Sequence, residues 1–129
     1  MSSENLEIVR QGYLDPAPLT NGAHIAPDAE FDFTAIYPDQ PILRGVQEMR
    51  DFRDAGPWGS SIHFEPERYF EVDQERVLVF VRASSMGQTS GAAVETQIAH
   101  EFTIRDGLIV RVKVYRDRSE ALEAVGLSE

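Results

Sequence analysis

Three features of the sequence predict an α+β domain. Two segments of helical periodicity lie in the first half, the second half is mostly alternating apolar pattern, and a short Ala/Leu-rich helical segment closes the chain. The predicted order is helix, strand, helix, four long antiparallel strands and a last helix, with the helices on one side of a curved sheet.

In "ENLEIVRQGYL" (4–14), Leu6, Val9 and Tyr13 fall at helical spacing, Ser3 is placed to cap the start, and Pro16 and Pro18 end the segment. "PLTNGAHIAPD" is a broken connector. "AEFDF" (29–33) alternates and reads as a strand with Phe31 and Phe33 on one face, and "TAIYPDQPILRG" reads as a loop. "VQEMRDFRDA" (46–55) sets Val46, Met49 and Phe52 on one side of a helix that Gly56-Pro57 stops. "SIHFEPERYFEV" (61–72) alternates in both halves, with Pro66 implying a bulge or an edge position. "RVLVFVRASSM" (76–86) is apolar on both faces, "GQTSGAA" (87–93) is a loop, and 95–104 with 108–117 form a hairpin. "RSEALEAVGL" closes the chain as a helix with Gly126 as its stop.

The chain has 129 residues, 42% of them hydrophobic, which fits one domain over 1–129 with one core. It has no cysteine, which excludes disulfides, thiolate metal sites and a cysteine nucleophile. The N-terminus shows neither a basic n-region nor an apolar h-region, and no apolar run approaches the roughly 18 residues that span a membrane. A cytoplasmic protein is the expectation. Net charge is −10, and although Arg105–Arg118 is locally basic, the acidic remainder repels nucleic acid and anionic membranes.

Side-chain parity orients the hairpin. A three-residue loop of Arg105, Asp106 and Gly107 would oppose Phe102 to Val110, His100 to Val112 and Ile98 to Val114, all inward, with Glu101 facing Arg111 on the other side. A two-residue loop would mix Phe102 with Arg111. In 76–86, Leu78, Phe80, Arg82 and Ser84 share one side, and Val77, Val79, Val81 and Ala83 the other. Because both sides are apolar, the outer one needs a cover, most simply a second subunit. A homodimer through the outer face of the sheet is therefore expected.

The segments "NLEIVRQGYL", "DAEFDF", "ILRGVQEMRDF" and above all "HEFTIRDGLIVRVKVYRDRSEALEAVGL" resemble the SnoaL-like branch of the ketosteroid isomerase and nuclear transport factor 2-like superfamily. The resemblance covers nearly the whole chain. It implies a cone-shaped, cystatin-like α+β barrel with a hydrophobic pocket between sheet and helices, often as a homodimer. It also implies where chemistry would sit. SnoaL-type polyketide cyclases are expected to pair an inward histidine, matched by His100, with an inward carboxylate on the last strand, where this chain has Val114. In limonene epoxide hydrolases an Asp-Arg-Asp set activates water. Arg82 matches the arginine, while Ser84 and Val114 stand at the carboxylate positions. Ketosteroid isomerases place a base after the first strand, where this chain has Phe33 beside Asp32, and a carbonyl-polarising tyrosine near Tyr13.

The residues leave both readings of each candidate open. His100, among valines, is either a neutral base and hydrogen-bond donor or a core histidine bonded to Tyr13 or Ser84. Arg82 either stabilises an enolate or carboxylate, or sits in an ion pair with Asp32 or Glu48, or faces outward. Asp32 is either a displaced base or, if Phe31 and Phe33 face inward, a solvated carboxylate. Tyr13, Tyr37 and Trp58 are candidate wall aromatics. Phe33, Met49 and Phe52, with Ser84, Phe102, Val112 and Val114 from the sheet, complete the expected lining. His24 and His63 are weaker, and His63 is expected to be exposed. No metal-ligating cluster, phosphate loop or nucleophile elbow stands out, so no cofactor is expected. The expected partner is a small apolar or cyclic ligand. The inward histidine points to a cofactor-independent acid/base enzyme of isomerase, cyclase or hydratase type. The missing carboxylates point instead to a non-catalytic small-molecule-binding or dimerisation domain.

Overall fold

A computed structural model describes residues 2–14, 24–39, 42–55, 63–86 and 93–127. Among these, the elements run α1 (Ser2–Leu14), β1 (Ile25–Asp32), β2 (Leu43–Arg44), α2 (Val46–Ala55), β3 (His63–Glu71), β4 (Arg76–Met86), β5 (Ala93–Arg105), β6 (Leu108–Tyr115) and α3 (Arg118–Ala124). The six strands make one curved, open sheet in the order β2-β1-β6-β5-β4-β3. The sheet is mixed, because β1 runs parallel to β6 while every other pairing is antiparallel. The α+β class holds; the barrel does not close, and β2 and β3 are its two edges. Ser3 lies inside α1, which begins at Ser2, so it is not the cap. The expected loop before α2 contains the two-residue strand β2, and β1 starts at Ile25 rather than Ala29.

Pro66 meets both of its expectations at once. It lies on the edge strand β3, and the register slips between Pro66 and Arg68 so that Glu67 is the extra residue. The slip twists the edge and, with Glu65, Glu67 and Arg68 along it, discourages pairing with another chain.

The hairpin turns differently from the parity argument. Arg105 pairs with Leu108, so the turn has two residues, Asp106 and Gly107, both at positive φ (52° and 77°). Two consecutive positive φ values are the signature of a type I′ turn, the form whose twist matches that of the flanking strands. The side-chain mixing that argued against this turn is avoided by a bulge. Ile104 pairs with Ile109 but Thr103 with Arg111, which leaves Val110 extra. Beyond it, Phe102 opposes Val112 and His100 opposes Val114, each two residues further along β6 than a three-residue loop would give. His100 keeps its inward orientation, and Glu101 faces Lys113 instead of Arg111.

The core divides between the two faces of the sheet. On the concave face, Val9 and Tyr13 of α1 and Met49 of α2 pack over Phe31, Val77, Val79, Val81, Phe102, Val112 and Val114. On the outer face, Ala121, Leu122 and Val125 pack on Leu78, Phe80, Ala99 and Tyr115. The helices are therefore not all on one side. The apolar outer face of β4, for which the sequence called for a second subunit, is covered by the chain's own α3.

Arg118 fastens that helix. Its guanidinium pairs with Glu67, donates to the carbonyls of Ile98 (3.3 Å) and Val81 (3.2 Å), and lies 4.8 Å from the Phe80 ring centroid. Asp117 caps the helix by accepting from the amides of Ser119 and Glu120. Arg118→Ala is expected to cost about 1–2 kcal/mol, through lost packing as much as lost charge. Urea denaturation measures the cost, and amide exchange should rise first in 118–125.

Candidate functional site

Among the described residues, two buried side chains with ionisable rings lie in the concave core, His100 and Tyr13. Among the described residues, the buried polar groups are Asp32, Glu101 and His100, and of these only His100 faces inward. Its position follows from strand alternation, since Ile98 and Phe102 on either side are also inward. Its cross-strand neighbours are Val79 on β4 and Val114 on β6.

The ring is enclosed. His100 is 1% exposed, the Tyr13 ring is stacked on it (5.9 Å, 11°), and Phe64 (5.1 Å, 81°) and Phe102 (6.0 Å, 88°) meet it edge-on. Its Nδ1 lies 2.7 Å from the Tyr13 hydroxyl. Burial lowers the His100 pKa to about 3, so the imidazole is neutral at pH 7. Burial, reinforced by Tyr69, raises the Tyr13 pKa well above its ordinary value, so the phenol keeps its proton. A protonated phenol beside a neutral imidazole fixes the bond: Tyr13 donates to Nδ1, and the ring carries its own proton on Nε2. The pair is uncharged, with Nε2–H as its remaining donor. Of the two partners the sequence offered His100, the structure selects Tyr13. Phe64 was not among the sequence candidates, although its alternation with Ile62 in "SIHFEP" already marked it as inward.

Arg82 and Ser84 lie on the opposite face. The concave side of β4 is that of Val77, Val79, Val81 and Ala83, so the side of Leu78, Phe80, Arg82 and Ser84 faces outward. Arg82 is half-exposed and forms ion pairs with Glu65 (2.7 Å), Glu67 (3.9 Å) and Glu95 (3.7 Å), not with Asp32 or Glu48. Ser84 stands between His63 of β3 and Glu95 of β5.

Asp32 points outward, as parity requires, but it is not solvated. It is 4% exposed, accepts from the Thr34 amide (2.9 Å) and hydroxyl (2.6 Å), and pairs with Arg111 (3.0 Å). Burial works to raise its pKa, but the Thr34 bonds and the charges of Lys113 and Arg111 outweigh it and hold the carboxyl below its ordinary value. A carboxylate so stabilised is a poor base. Asp32→Ala is expected to cost about 2–3 kcal/mol at pH 7, measured by urea denaturation, because it orphans the Thr34 groups and leaves Arg111 without its partner. Glu101 resembles it: buried on the outer face, it accepts from the Tyr115 hydroxyl (2.8 Å) and lies 3.5 Å from Arg76.

The remaining candidates fall into two groups. Phe102, Val112 and Val114 are fully inward beside His100, and Met49 is buried in the same core. Phe33 and Phe52 pack against each other (4.9 Å) at its edge, with the exposed Tyr37 edge-on to Phe52 (6.0 Å). Trp58 lies outside the described residues. His24 and His63 are both exposed. An open cleft of about 690 Å³ lies elsewhere, between the N-terminal end of α1 and the β3–β4 and β5–β6 turns. Its rim includes Glu4, Glu71, Asp73, Glu75 and Asp106, and none of the sequence-predicted site residues lines it. Among the described residues, no group of three or more His, Cys, Asp or Glu side chains is placed to hold a metal ion.

Comparison with known proteins follows the same geometry. The fold is similar to a SnoaL-like protein of Jannaschia sp. CCS1 assigned as a polyketide cyclase, with TM-score 0.70, 15% identity, and 98% of this chain and 94% of that one covered. It is also similar to TerC, co-crystallised with polyporic acid, with TM-score 0.71, 20% identity, and 95% and 98% covered. A ketosteroid isomerase-like protein of Catenulispora acidiphila, in complex with trimethylamine, has TM-score 0.66, 17% identity, and 95% and 94% covered. At these identities the likeness is one of fold. No curated protein matches the chain. The family model for the SnoaL-like domain matches residues 16–112, a stretch that takes in β1 through most of β6 and includes the inward histidine. The chain belongs to the SnoaL-like domain family.

Proposed function

We propose that this protein is a small-molecule-binding SnoaL-like domain whose ligand is neutral, apolar and ring-containing, and in which His100 is a hydrogen-bonding group rather than a base. One observation carries the reading. The one imidazole among the described buried inward side chains is enclosed by Tyr13, Phe64 and Phe102 and held neutral by burial, with Val114 directly across from it. A general base works best with a pKa near the working pH. A group near 3 accepts a proton reluctantly, and the carboxylate that would raise its basicity is absent. What remains is an enclosed apolar environment with one uncharged donor, Nε2–H, which a ligand would reach only by displacing the rings around it and which suits an acceptor oxygen on an otherwise apolar molecule.

Proteins of the same fold hold polyporic acid in one case and trimethylamine in another, which supports a ligand-holding role for the architecture. Arg82 is left out of the proposal because it belongs to an outer ion-pair cluster. The test is ligand-observed NMR with neutral bicyclic ketones, beginning with 1-tetralone, on wild type and His100→Leu. Binding without turnover, weakened about five- to tenfold in the variant, is the expected result, the loss corresponding to one hydrogen bond of about 1–1.5 kcal/mol. Turnover that disappears with His100 would replace this reading with the acid/base enzyme. Absence of binding across the panel would overturn both.

A further inference from the structure

We infer that α1 is a movable wall of the domain, latched at its C-terminal end by the hydrogen bond from Tyr13 to His100. The helix lies across β3, β4 and β6 on the concave face. Of its described side chains only Val9 and Tyr13 are buried. Among the described residues, two side-chain hydrogen bonds tie it to the sheet region. Near the N-terminal end, Asn5 Nδ2 donates to the Gln74 carbonyl (2.8 Å) at an exposed position. Near the other end, the Tyr13 hydroxyl meets His100 Nδ1 (2.7 Å) in the interior, across 87 residues of sequence. Gln11 and Arg10 also bond or pair with Glu7 inside the helix, and Arg10 and Glu7 lie near enough to Tyr69 of β3 to act on it electrostatically, but at exposed positions where water screens them.

The two ties are unequal. Water competes for the Asn5 bond, so it is worth little, whereas the Tyr13 bond is shielded and is either made or broken. The open cleft beside Glu4 and Asn5 leaves space under the N-terminal end, where the helix would pivot. At the latched end, Gly12 precedes Tyr13 and weakens the last turn. Movement there would carry the Tyr13 ring off His100 and off Phe102, which it touches edge-on at 5.8 Å, and so uncover the imidazole. Leu6 and Ile8 pack only partly buried against the core beside Val9 and Tyr13, and an element held by so few fully buried side chains and one shielded bond belongs to the low-stability end of a fold.

Hydrogen exchange tests this with no ligand present, so it stands or falls apart from the binding proposal. Tyr13→Phe keeps the ring and removes only the hydroxyl. It should accelerate amide exchange in residues 8–14 about tenfold, the equivalent of one buried hydrogen bond, while amides around Val79 and His100 hold their rates. Unchanged exchange in α1, or the same acceleration in β4 and β5, would overturn the latch. If the variant does not fold, wild-type exchange under increasing denaturant serves instead. The α1 amides should then open with a weak denaturant dependence at a lower free energy than the sheet, and merging of the two from the outset would overturn it.

Discussion

The wild-type protein is expected to lose about 2 kcal/mol of unfolding free energy between pH 7 and pH 5 relative to His100→Gln. The native His100 pKa is about 3, below the 6.5 of an unperturbed imidazole. Between those values the unfolded chain binds a proton that the native chain refuses. The stability this neutral histidine confers is complete above pH 6.5 and declines as pH falls toward 3, by about 1.4 kcal/mol per pH unit once well below 6.5. Subtracting the variant isolates the effect. Acidification also relieves repulsion within a chain of net charge −10, but that relief is shared by both proteins. Asp32 and the other stabilised carboxylates lose their contributions only at lower pH, below the range compared. Urea denaturation at pH 7, 6 and 5 gives both curves. Parallel curves would mean that His100 is reached by solvent and titrates normally in the native state.

This prediction depends on an orientation that the sequence showed and an enclosure that it did not. Phe102, His100 and Ile98 alternate with Glu101 and Ala99, so the inward direction of His100 was legible from spacing alone. It survived even though the turn was misjudged, because a bulge at Val110 restored the parity that a two-residue turn would have spoiled. Asp-Gly is the strongest short signal for that turn, and the parity argument set it aside because a bulge leaves no mark of its own in an apolar run. The side of β4 was not legible. Leu78 and Phe80 are as apolar as Val77, Val79 and Val81, and the fact that decides between them is long-range: α3, almost forty residues later, folds onto the outer face. The sequence left Arg82 open to an inward or an outward position, and its ion pairs with Glu65, Glu67 and Glu95, from both neighbouring strands, lie outward. Asp32 shows the same limit at a smaller scale. Alternation gave its direction, but its burial comes from Thr34 and Arg111 closing over it.

Val114→Asp should raise the proton affinity of His100, with a large cost in stability. Residues 100 and 114 are opposed across the β5–β6 ladder, where directly opposite Cβ atoms stand about 4.5–5.5 Å apart. A carboxylate there faces the imidazole in an apolar enclosure that screens little. Removing the valine and burying a polar group should cost about 3–5 kcal/mol at neutral pH. The attraction of an adjacent carboxylate favours imidazolium, and NMR titration of the ring should find its pKa raised well above the wild-type value of about 3. If the pair carries it past the unfolded value of about 6.5, the sign of the linkage changes: the stability contributed is present below 6.5 and is lost as pH rises through the native pKa. The variant would then be relatively more stable at pH 6 than at pH 8, the reverse of the wild-type contribution. An imidazole that still titrates below pH 4 would show that the two positions do not communicate. A raised pKa would show that the wild-type valine, as much as burial, keeps His100 from serving as a base, and would connect the binding role proposed for this chain to a single cross-strand position.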